Sequence, residues 1–80
     1  MIQVEVLGFD CAACRKAYQL ITQVAAEMDI AIVCQKVDDP QKFIHYQVMS
    51  APGIIVDGQL VYQGGCPDRN SIIDWLRAAS

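Results

Sequence analysis

Two cysteines spaced as Cys11-Ala12-Ala13-Cys14 stand where a short apolar run, Ile2 to Leu7, turns through Gly8-Phe9-Asp10 into a long helical pattern. Placed i and i+3 on the first turn of a helix, their sulfurs come within disulfide reach, and the unpaired backbone N–H groups of that turn stabilise a thiolate. The same order of strand, turn, CxxC and helix also opens small metal-carrying domains, so the motif by itself leaves redox and metal chemistry both standing.

Period-2 runs at 2–7 and 30–37 read as strands, with a helix over 11–28 between them. This is a β-α-β unit, which calls for parallel strands. Cys14, Ala17, Tyr18, Ile21, Ala25 and Met28 form one stripe of that helix, so Cys14 begins its buried face. Cys11, one turn nearer the helix mouth, is then the more exposed sulfur. Asp39-Pro40 has the form of an N-cap followed by proline at the first helical position, and Phe43, Ile44 and Val48 give this short second helix an apolar side. Ser50-Ala51-Pro52-Gly53 ends it. Ile54 to Val56, the turn Asp57-Gly58 and Leu60 to Tyr62 read as a β-hairpin. Asp68 then caps a last helix with Ile72, Trp75, Leu76 and Ala79 on one face.

Eighty residues, 54% of them hydrophobic and 19% charged, suit one packed domain over 1–80. A net charge of −3 with six basic residues provides no footprint for nucleic acid or anionic lipid, and no apolar run approaches membrane-spanning length. The chain opens directly on a strand, without the charged and apolar regions of a leader, so a cytoplasmic location is expected. In that compartment, four cysteines that include a CxxC point to reactive or metal-binding thiols rather than a structural disulfide framework. The expected partners are proteins or small molecules, and the expected state is a monomer.

With CxxC after the first strand and Ala51-Pro52 before the third, the chain resembles the thioredoxin fold in its minimal, glutaredoxin-sized form. More narrowly, it is similar to the small thioredoxin-like, glutaredoxin-like redox-active disulfide proteins of bacteria and archaea. Gly8, Cys11, Cys14, the run Pro52 to Gly58, and Gly64 match their pattern. The resemblance implies an α/β domain ordered β-α-β-α-β-β-α, a four-stranded mixed sheet flanked by three helices. It also implies a thiol–disulfide oxidoreductase that needs no cofactor or resident metal and acts on protein or small disulfides, with a reductase or glutathione as upstream reductant. Cys11 would be the attacking thiolate and Cys14 the resolving thiol. Pro52 would be a cis-proline that, with Ala51, receives the substrate chain; without the resemblance the Ala51-Pro52 bond reads as trans.

Other residues carry a bland and a chemical reading side by side. Glu5 stands six residues before Cys11, where larger thioredoxins place a buried aspartate that assists the resolving cysteine, yet it also suits an ordinary position on the sheet's less covered face. Arg15, four residues after Cys11, favours its thiolate, while Asp10 opposes it and suits a helix cap. Cys34 reads as a small buried hydrophobe. Gly64-Gly65-Cys66 with Asp68 is similar to the glycine pair and acid with which glutaredoxins hold glutathione, although the spacing from Gly58 is two residues too long. That loop is expected to approach the site from the Pro52 side, with Cys66 an incidental thiol or an auxiliary redox residue. His45 reads as a surface residue, and Tyr62 and Trp75 as packing.

A second function class remains. Gly8-Phe9-Asp10-Cys11-Ala12-Ala13-Cys14 is similar to the entry motif of metallochaperones that carry a soft ion such as Cu(I). That fold ends on a strand, whereas this pattern ends on a helix, and Phe9 replaces the motif's methionine. A binding module switched by its own disulfide is a third reading.

Overall fold

The computed structural model describes residues 1–9 and 12–80. Its elements are β1 (Ile2–Leu7), α1 (Ala12–Glu27), β2 (Ile32–Val37), α2 (Pro40–His45), β3 (Gly53–Val56), β4 (Gln59–Gln63) and α3 (Arg69–Ala79), in the order expected from the sequence. The sheet runs β2-β1-β3-β4, with β1 parallel to β2 and antiparallel to β3, and β3 antiparallel to β4. This is the four-stranded mixed sheet with three helices of the minimal thioredoxin fold.

The pleat of β1 assigns its side chains to two faces of the sheet. Val4 and Val6 point to one face, where they join Ile54 and Val56 of β3, Ala17, Ile21, Val24 and Ala25 of α1, and Ile72 and Leu76 of α3. Leu7 and Ile55 belong to the opposite face and are fully buried there, on the side of α2. The stripe read along α1 is buried at Cys14, Ala17, Ile21 and Ala25, and Val24 widens it. On α3, Ile72 and Leu76 are buried while Trp75 and Ala79 pack against the edge of the core, with Trp75 tilted against Tyr62 at 5.9 Å between ring centroids.

Three local expectations are corrected. Strand β2 begins at Ile32 rather than residue 30, because Ile30 and Ala31 lead out of the turn after α1, where the Ile30 N–H bonds the Ala25 carbonyl. Helix α2 stops at His45, so Val48, counted on its apolar side, lies beyond it. None of its residues is buried and Ile44 is 77% exposed, since six residues make under two turns and leave little length to lie on the sheet. Asp68 occupies the N-cap of α3, but its carboxylate accepts from the Ser71 hydroxyl at 2.5 Å instead of from a helix N–H. By contrast, Asp39 caps α2 as expected, accepting from the Gln41 N–H at 3.0 Å. The Asp57-Gly58 turn has φ of 49° and 81°, the left-handed pair that a two-residue hairpin requires.

Candidate active site

The parallel pairing of β1 with β2 brings the carboxyl ends of both strands together, and α1 starts just beyond the first of them. Open sheets of this kind gather chemistry at that edge. Gly8 leaves β1 with its N–H bonded to the Val37 carbonyl of β2 at 2.9 Å, so the turn before the CxxC is tied to the neighbouring strand. Cys14 is buried at 2% exposure, on the inner side of the first turns of α1. Its sulfur lies directly against the Gly8 backbone: a Cβ built on Gly8 would overlap Cys14 Sγ and would stand 3.9 Å from the Ala51 Cβ. Only a residue without a side chain lets the thiol, the end of β1 and the Ala51-Pro52 loop converge in this way.

Cys11 and Asp10 lie outside the described residues, so the attacking thiolate and the helix cap assigned to them have no described geometry. The Ala51-Pro52 peptide is cis, as the resemblance implied. Pro52 itself is fully buried, and its carbonyl accepts from the Gly64 N–H at 3.1 Å. Gly64 packs beside Ser50, its missing Cβ falling 3.2 Å from the Ser50 Cβ. The Gly64-Gly65-Cys66 loop therefore reaches the site region from the Pro52 side. Cys66 is exposed on it, with its thiol toward the Pro67 carbonyl at 3.6 Å.

Glu5 is placed elsewhere. It alternates with Val4 and Val6, so its side chain leaves the sheet on the α2 face, where the carboxylate meets Lys42 Nζ at 3.3 Å. Val6, not Glu5, is the β1 residue beneath Cys14. Arg15 is exposed on the outer side of α1. Cys34 faces the α1 core in register with Val4, and burial pushes its thiol from 9.0 up to about 11, the behaviour of a packed, unreactive sulfur. His45 is exposed and meets Tyr46 edge to face at 4.8 Å between ring centroids.

Two features were missed in the sequence. Cys14 opens onto a cleft of about 330 Å³ whose other walls, among the described residues, are Val6, Gly8, Lys36, Val37 and Asp38. The signal was present in the parallel β-α-β unit, because the residues that close β2 must lie beside those that follow β1. The second is an aromatic stack next to the CxxC. Phe9 lies flat on Phe43 of α2, with centroids 5.1 Å apart and planes 9° from parallel, while 61% of its surface stays exposed. Ile44 and Met49 are also exposed, at 77% and 91%.

Among the described residues, no helix is long and apolar enough to cross a membrane. A family model described as a thioredoxin domain matches residues 2–77. The chain is also similar to a thioredoxin of Methanocaldococcus jannaschii, 26% identical over 70 residues that cover 84% of this chain and 81% of that protein.

Proposed function

The chain belongs to the thioredoxin-domain family, and from that premise we propose that it is a thiol–disulfide oxidoreductase in which Cys11 attacks and Cys14 resolves. In this reading the Cys11 thiolate opens a substrate disulfide and forms a mixed disulfide. Cys14 then attacks the Cys11 sulfur, the substrate leaves as a thiol, and the Cys11–Cys14 disulfide holds the two electrons' worth of oxidation. An upstream reductase or glutathione returns the pair to the dithiol. The site is worked by the chain's own sulfurs, in a cytoplasm that keeps thiols reduced.

The observation that carries the reading is the buried seating of Cys14 against Gly8, the glycine that also approaches Ala51. It supports unequal roles for the two sulfurs: a recessed thiol meets another sulfur only when one is delivered by its neighbour. The Ala51-Pro52 loop and the exposed Phe9 flank are the surfaces against which a substrate chain would lie. The order β-α-β-α-β-β-α and the thioredoxin-domain match support this reading over a metallochaperone.

The deciding comparison uses Cys14→Ser and Cys11→Ser. Cys14→Ser is expected to accumulate a stable mixed disulfide on Cys11, and Cys11→Ser to trap little. Equal loss of tight Cu(I) binding in both variants, with no trapped partner, would overturn the proposal in favour of metal carriage.

A further inference from the structure

The resolving step needs a base. Cys14 must lose its proton as it attacks, and its thiol is buried against Gly8. Glu5, the acid that a count of residues from Cys11 would select, is on the other face of the sheet and engaged by Lys42. Among the described residues, the cleft that reaches Cys14 has one carboxylate on its wall, Asp38, immediately after β2, and one ammonium, Lys36. At about 330 Å³ the cleft has room for several waters, each needing roughly 30 Å³. Thiol and carboxylate thus border the same open cleft, through which water can carry a proton from one to the other.

Resting on the oxidoreductase reading, we propose that Asp38 is the proton acceptor for Cys14 in the resolving step. The Cys14 S–H bond breaks as its sulfur bonds Cys11 Sγ. The bond between Cys11 and the substrate sulfur breaks in the same displacement, and the substrate leaves as a thiolate. The proton goes through water to the Asp38 carboxylate, which then releases it to solvent or to the departing thiolate. The dithiol loses two electrons and the substrate disulfide gains them, so no further reactant is needed. The charged or titratable groups around Cys14 are Lys36 and Asp38 from β2 and its end, Arg15, Lys16 and Tyr18 on α1, and, by sequence, Asp10 and Cys11. Lys36 sits over the Tyr18 ring at 5.4 Å, which anchors the cation on the helix side of the cleft.

The role is separable from simple electrostatics by its sign. If Asp38 acted only as a nearby negative charge, its removal would favour the Cys14 thiolate and speed resolution. As a base, its removal slows resolution wherever Cys14 is not ionised on its own. The aromatic disulfide 5,5′-dithiobis(2-nitrobenzoate) reads both steps, releasing one coloured thiolate when Cys11 attacks and a second when Cys14 resolves. In a Cys66→Ser background, Asp38→Asn is expected to slow the second release relative to the first on the order of 100-fold near neutral pH. The gap should narrow as pH rises and hydroxide can take the proton instead, and Asp38→Glu should recover most of the rate. A second phase that is unchanged or faster in Asp38→Asn overturns the inference, as does slowing of equal size at every pH. Slowing in Glu5→Gln alone would return the role to β1. If the parent chain resolves normally while Asp38→Asn does too, only this inference falls; if the parent shows no second phase, the oxidoreductase reading falls with it.

Discussion

At the scale of single residues, Gly8 and Cys34 show how contact decides chemistry. Gly8 is needed for the space in front of it, which Cys14 Sγ fills. Gly8→Ala forces the sulfur or the β1 end to move, and overpacking of this kind costs about 1–3 kcal/mol. A lower melting temperature is therefore expected, together with slower release of the second coloured thiolate, as Cys14 is turned away from Cys11. A stable Gly8→Ala variant with normal resolution would show that the close approach has no catalytic consequence. Cys34 is the opposite case, a thiol silenced by its surroundings. With its thiol raised to about 11, a far smaller fraction is thiolate at pH 8 than for an ordinary cysteine. Alkylation of folded Cys34 should thus run roughly 100-fold slower than that of an unstructured peptide thiol, as mass spectrometry can follow. The linkage has a definite sign: because the folded-state value lies above the unfolded one, Cys34 costs nothing below about pH 9. Stability is then lost as pH rises from 9.0 toward about 11.

At the scale of elements, the hairpin and α2 depend on backbone chemistry more than on burial. Gly58 has φ of 81° and open space where a Cβ would stand, so Gly58→Ala is penalised by conformation alone, at about 1 kcal/mol. Its partner Asp57 fastens the turn to β1 through two bonds, its N–H to the Gln3 carbonyl at 2.7 Å and its Oδ1 accepting from the Gln3 N–H at 2.8 Å. Helix α2 has no buried residue, so its N-cap carries an unusual share of its stability. Asp39→Ala should cost about 1 kcal/mol, and hydrogen exchange should quicken in α2 well before the sheet. Since Phe43 of α2 supports Phe9, the same variant is expected to weaken substrate attack while leaving the β1, β2 and β3 amides protected. Uniform loss of protection across the sheet would contradict that separation.

For the molecule as a whole, the fold rests on the core between α1, α3 and the sheet. Leu76 is 1% exposed in this core, and Leu76→Ala should cost about 2–5 kcal/mol. That is a large share of the roughly 5–15 kcal/mol available to an ordinary domain, so thermal denaturation should show a strongly lowered midpoint. The Glu27–Arg69 ion pair joins α1 to α3 across the same interface, but both side chains are largely in water, so breaking it should change stability by less than about 1 kcal/mol.

Much of this was legible along the chain because it is local. The alternation in Ile2 to Leu7, the helical stripe from Cys14, the Asp39-Pro40 cap and the Asp57-Gly58 turn each depend on residues within a few positions of one another, and the structure has them all. What the chain could not disclose is which separated residues share a surface. Glu5 suited both a partner of the CxxC by count and an ordinary strand residue, and the period of two in β1 turns it to the α2 face and leaves Val6 beneath Cys14. Asp38 and Lys36 looked like an ordinary strand end until parallel pairing set them on the wall of the Cys14 cleft. Val48 looked like part of α2 until that helix stopped at His45. Periodicity and capping are properties of neighbours in sequence, and so the sequence determined the elements. Register, facing and close approach are settled only when β1, β2 and α1 pack together, and so the tertiary structure decided the surroundings of Cys14.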